Sequence, residues 1–184
     1  MKRIAIALSG MCLATAACGL AGLPPASGGT SAISPTSSVE RTVEIYAAVI
    51  RQLVSSADGR TARVYVIDGP VDGAEDPMRP LNEQIPTGAF DPAVKEGLTS
   101  ALSDIRSLTF VADRSQVVVG REPGHVIGRG VLLTVGPIHS DGSTVTVGSN
   151  YWMNGLAGQW QTYVVQDRGT GWAVTGTQGS SAIS

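Results

Sequence analysis

The sequence predicts an α+β domain, two helices packed on a curved antiparallel sheet that ends in a C-terminal β-meander. Three observations predict it. Val131–Val135, Thr144–Val147 continuing to Tyr151-Trp152, Gln159–Gln166 and Trp172–Thr175 are β-rich runs, separated by Asp141-Gly142, Asn154-Gly155 and Gly169-Thr170-Gly171, turn residues that tolerate positive φ. Two further stretches carry apolar residues at helical spacing. Five of the nine aromatics, Tyr151, Trp152, Trp160, Tyr163 and Trp172, fall in the meander, which places the largest buried areas there.

In chain order, Lys2 and Arg3 precede an apolar run, Ile4 to Ala17, of 14 residues. About 20 would be needed to cross a bilayer, so the run fits an export signal. It ends in Ala16-Ala17-Cys18. Small residues directly before a cysteine resemble the lipobox of bacterial lipoprotein precursors. That resemblance implies cleavage before Cys18, acylation of its sulfur, and attachment to the outer face of the cytoplasmic membrane. Thr15 stands where Leu is commoner, and bulky Met11 excludes Cys12 as the modified residue. An ordinary secretory signal cut near Ala17, or an uncleaved anchor, are the alternatives. Each buried methylene of an acyl chain contributes ~0.8 kcal/mol, so two or more chains hold a protein at a membrane. Residues 19–36 have no charge and are rich in Gly, Pro, Ser, Thr and Ala, the composition of a flexible tether. The expected organisation is a signal peptide over 1–17, the lipidated cysteine and tether over 18–36, and one α+β domain over 37–184.

Within that domain Ser37 and Glu40 form a capping box. The stripe Val39, Val43, Tyr46, Ala47, Ile50, Leu53 and Val54 continues it as a helix that Asp58-Gly59 ends. Arg63–Ile67 reads as a strand. The stretch from Pro70 to Pro86 holds four of the ten prolines and reads as a long surface loop, with a short helical turn at Leu81–Ile85. Asp91-Pro92 opens the second helix, an N-cap followed by proline at the first helical position, with Val94, Leu98, Ala101, Leu102 and Ile105 as its apolar face. Leu108–Val111 and Gln116–Val119 read as a strand pair about Asp113-Arg114-Ser115. On the meander, alternation places Val145, Val147, Tyr151 and Met153 on the core face, leaves Trp152 partly exposed, and puts Trp172 with Val174. The element order over residues 37–177 resembles the curved-sheet cone of the nuclear transport factor two-like proteins, with the cystatin-like fold as its close rival.

Composition narrows the chemistry. A formal net charge of −2 supplies no basic stripe for nucleic acid. No cysteine follows Cys18, which leaves the domain without a thiol nucleophile, a thiolate metal site or an internal disulfide. Asp68, Asp72, Glu75 and Asp76 lack calcium-loop spacing, His125 and His139 lack zinc-site spacing, and no metal or cofactor is expected. The glycines at 124, 128 and 130 match neither a phosphate loop nor a dinucleotide fingerprint, and no serine sits in a nucleophile elbow. The cone resemblance implies one further possibility, since its isomerase members pair an acid with a tyrosine inside the cone: Tyr151 and Tyr163 could line a cavity with Asp167 near its rim. The aromatic core is the competing use of the tyrosines, as it is of Trp152, Trp160 and Trp172. The expectation is a non-enzymatic cell-envelope lipoprotein that binds a partner or ligand. A small hydrolase or isomerase is the alternative, and a sheet-edge module that adds a partner's strand is a third.

Overall fold

A computed structural model describes residues 37–57, 61–121, 123–141 and 144–184. The leader, Cys18, the tether, and the turn residues Asp58, Gly59 and Gly142 lie outside the described residues.

The first helix, α1, runs Ser38–Ser56 and buries Ile45, Tyr46, Ala47, Val49, Ile50 and Leu53. Its start is set by Ser37 Oγ, which accepts from Glu40 N–H at 3.1 Å, a cap that contributes about 1 kcal/mol. The second, α2, runs Pro92–Ala101 behind an Asp91 cap and buries Val94 and Leu98. The helices meet at Gly97, where a Cβ would stand 2.6 Å from Val43 Cγ2. Only a residue without a side chain lets them approach this closely.

Eight strands form one mixed sheet: β1 Arg63–Ile67, β2 Leu108–Val111, β3 Val118–Val119, β4 His125–Val126, β5 Gly130–Asp141, β6 Thr144–Asn154, β7 Ala157–Asp167 and β8 Trp172–Ile183. The order β2-β1-β5-β6 continues through β7 to β8, while the short β4-β3 pair also joins β6, at His125 opposite Asn154. The fold class is the α+β expected, with its antiparallel C-terminal meander. The sheet differs in being parallel where β1 meets β2 and β5. The cause is the connection: α2 lies between β1 and β2 and returns the chain to the end of the sheet where it began, so β2 enters parallel. Residues 108–119, expected as a strand pair, are not a hairpin. Arg114–Gln116 is a 3-10 turn, and β3 pairs with β4 instead.

Around β1, β5 and β6 the sheet is covered on both faces. On the helix side Val64, Val66, Val131, Leu133, Val145, Val147, Tyr163 and Val165 pack with α1 and α2, with Tyr151, Met153, Trp172 and Val174 partly buried against them. On the other side Tyr65, Ile67, Leu132, Trp152 and Trp160 pack with Val71, Ala74, Val111 and Val117. The alternation read from the sequence is therefore kept, but Trp152 is 2 % exposed, not partly exposed. The loop after β1 and the segment after β2 lie over it as a second layer.

Candidate functional site

The layer opposite the helices is made from two loops. The first leaves β1 at Asp68 and turns at Gly69, whose φ of +140° is tolerated by glycine. It is fastened to the sheet by Val71 N–H donating to Val135 O at 2.9 Å and by Asn150 Nδ2 donating to Ala74 O at 2.6 Å. It then forms a 3-10 turn at Leu81–Glu83, close to the expected short turn. The second loop follows β2. Asp113 Oδ1 accepts from Ser115 N–H at 2.7 Å and holds its 3-10 turn. Arg114 crosses back, its Nη2 donating to Pro123 O at 2.7 Å and its guanidinium 4.6 Å from the centre of the Trp152 ring.

Between these loops is a cleft of about 480 Å³, lined on one side by Leu81, Asn82, Gln84 and Ile85 and on the other by residues 113–115, Val118, Gly120 and 123–124. Its position follows from topology. The two loops leave the carboxyl ends of the parallel strands β1 and β2, where open sheets with parallel strands commonly hold ligands, and its volume suits a small-ligand site. Its lining is mixed, with Leu81, Ile85 and Val118 beside Asn82, Gln84 and Ser115, and Ile85 is 64 % exposed.

One wall contains a buried polar pair. Asn150 Nδ2 also donates to Gln84 Oε1 at 2.9 Å. Gln84 Nε2 and Asn150 Oδ1 are then buried without a hydrogen-bond partner among the described residues. Leaving such a group unpaired costs about 1–3 kcal/mol. Trp160, directly opposite Asn150 on β7, likewise has its Nε1 buried with no partner. Hydrogen bonds from the Ser115 hydroxyl and then from its backbone N–H hold the Asp113 carboxyl below the usual aspartate range, so the cap is ionised at neutral pH.

The residues singled out from the sequence lie elsewhere. Tyr151 and Tyr163 share the helix-side face, with Tyr163 buried and its hydroxyl without a partner among the described residues. Tyr151 stands opposite Gln159, four positions from Tyr163 along β7, and Asp167 is four further on. Each step is ~13 Å at ~3.3 Å per strand residue, so the three do not converge. Asp167 is exposed, and its Oδ1 accepts from Gly169 N–H in the β7–β8 turn. The acidic loop is dispersed as well: Asp68 pairs with Lys95, Asp76 accepts from Met78 N–H, and Glu75 packs over Gly148. Among the described residues no group of three His, Cys, Asp or Glu side chains could hold a metal ion. His139 is exposed on β5, and His125 lies against Gly120 at the cleft's edge. Among the described residues no hydrogen bond links His125 with Ser115 or Asp113.

Sequence reasoning missed Gln84, Asn150 and the 113–124 wall. The available signal was the Pro-rich loop, long enough to suggest function, but it does not show what the loop faces. No family model, no curated protein and no solved structure matches the chain, so the cleft is read from its own geometry.

Proposed function

We propose that this chain is a cell-envelope lipoprotein, exported and anchored through Cys18, whose α+β domain binds a ligand or partner outside the cytoplasmic membrane without chemically changing it. The anchor is supported by the leader, whose small residues stop at Cys18. The observation that carries the binding reading is the cleft, with Leu81, Ile85 and Val118 in its lining and the buried Gln84–Asn150 amide pair behind it. Its two charged side chains, Asp113 and Arg114, are committed to holding its own walls. Asp113 caps a turn and Arg114 ties Pro123 to Trp152, so they shape a surface instead of forming an acid–base pair.

Both halves can be tested on the full chain. Labelled palmitate should be incorporated by the wild type and not by Cys18→Ala, which should also leave the membrane fraction. Equal labelling and retention in the variant would remove the lipoprotein reading. In a small-fragment screen by NMR, hits should cluster on Leu81–Ile85 and residues 113–124, and vanish in Ser115→Trp, which fills the cleft from an exposed position. Hits scattered over the surface would remove the binding reading.

A further inference from the structure

Two features of the cleft identify the class of its occupant, an inference that rests on the cleft being the binding site. The first is the pair of side-chain amides. Gln84 and Asn150 are 6 % and 1 % exposed, and Gln84 belongs to the cleft wall. Their mutual hydrogen bond leaves one donor, Gln84 Nε2, and one acceptor, Asn150 Oδ1, without partners among the described residues. The second is β3. Val118 lines the opposite wall, and β3 pairs with β4 alone, so its other edge carries no strand among the described residues.

We propose that the cleft binds an extended segment of a partner polypeptide. In an extended chain the N–H and C=O of one residue point to one side, and those of the next residue to the other. A strand in the cleft therefore presents one edge to β3, as in strand addition, and its other edge to the Gln84–Asn150 pair. There one residue's C=O accepts from Gln84 Nε2 and its N–H donates to Asn150 Oδ1. Leu81, Ile85 and Val118 provide apolar contacts for its side chains.

The amide atoms are buried, so the strand reaches them only when the Leu81–Ile85 turn, which carries Gln84, shifts aside. Its backbone bonds are internal: Glu83 N–H to Pro80 O, Gln84 N–H to Leu81 O and Ile85 N–H to Glu83 O. Displacing the turn breaks none of them; it gives up the Gln84–Asn150 bond and the packing of Leu81 on the loop-side cluster, in exchange for the strand's contacts. Other occupants fit less well. An alkyl chain would leave both amides without partners. A charged ligand meets Asp113 and Arg114 already engaged with Ser115, Pro123 and Trp152.

The test is titration of the ¹⁵N-labelled full chain with acetyl-Leu-Val-Leu-methylamide, with its ester analogues in which one N–H at a time becomes oxygen, and with decanoate. The peptide is expected to move the side-chain amide signals of Gln84 and Asn150 and the backbone signals of Val118 and Val119. At least one ester should bind about tenfold more weakly, the equivalent of one hydrogen bond. Gln84→Met should weaken the peptide about tenfold while keeping the wild-type spectrum away from the cleft. Equal binding of the peptide and every ester, or decanoate binding as well as the peptide, overturns the peptide assignment and leaves the cleft as a site. Fragments binding in the cleft while the peptide does not also overturns it. Fragments missing the cleft removes both readings.

Discussion

Trp152→Ala should be among the most damaging single changes in this domain, and Trp172→Ala comparatively mild. Trp152 is almost fully buried, with Leu132 as its cross-strand partner, the Arg114 guanidinium 4.6 Å from its ring centre, and Gly158 close enough that a Cβ there would lie 3.1 Å from its Cδ1. Truncation removes a large apolar surface and leaves a cavity that the sheet cannot collapse to fill, at about 3–5 kcal/mol. The lost contact with Arg114 is part of that figure, at about 0.5–2 kcal/mol. Trp172 is partly exposed at the start of β8, with Arg41 5.0 Å above its ring. Its truncation should cost about 1–2 kcal/mol, since much of its surface is never removed from water. With a urea m-value of about 2 kcal/mol per M, Trp152→Ala should lower the unfolding midpoint by about 2 M and Trp172→Ala by less than about 1 M. Equilibrium unfolding followed by far-UV circular dichroism reads both. If Trp172→Ala proves equal or worse, the second layer over Trp152 is not holding the sheet, and the cleft built from that layer loses its support.

Three other outcomes follow from the same contacts. Gly97→Val should destabilise the domain by about 2 kcal/mol or more, because the added side chain meets Val43 where the helices cross; an unchanged melting temperature would show that α1 and α2 are not in close contact. Asp113 has a folded pKa below its ordinary value, so its cap stabilises the turn above the unfolded aspartate range, near ~4, and is lost as pH falls through the folded value. The Ser115 amide signal should report that loss, whereas Asp113→Asn, also a capping side chain, should remove the titration and keep the turn; a wild-type profile in the variant would refute the assignment. A chain starting at Thr36 should melt within a few degrees of one starting at Gly19, because residues 19–36 lack apolar periodicity, and a large drop would mean that they pack on the domain.

Local signals in the sequence located most elements. Ser37 with Glu40 and Asp91 with Pro92 marked the helix starts found at Ser38 and Pro92, because a cap acts within three residues of itself. Asn154-Gly155 and Gly169-Thr170-Gly171 marked the ends of meander strands, the first through the hydrogen bond that Asn154 Oδ1 accepts from Leu156 N–H and the second through positive φ at Gly169 and Gly171. The pairing of β1 was not legible. A five-residue strand reads the same whether its neighbours run parallel or antiparallel, and α2 decides the direction only once its packing is known. The misjudged exposure of Trp152 has a similar origin. Alternation showed correctly that Trp152 lies opposite Tyr151 and Met153, but not whether that side meets water or another layer.

The cleft was hidden for a related reason, and the reason bears on how it works. Its walls come from residues about thirty positions apart, and Asn150 reaches Gln84 across 66 positions, so no sequence window contains the site. What joins them is the sheet. β1 and β2 run in the same direction, their following loops emerge at one end, and β6 passes below with Asn150 on the loop side and Val147 on the helix side. The meander that organises the core thus also holds the cleft wall from behind, through the Asn150–Gln84 bond. Asn150 is committed to the loop carbonyl at Ala74 and to the Leu81–Ile85 turn through Gln84. Breaking the second bond leaves the first intact. A ligand that displaces Gln84 can therefore engage Asn150 without detaching the loop from the sheet, so the cleft can open while the fold that positions it stays in place.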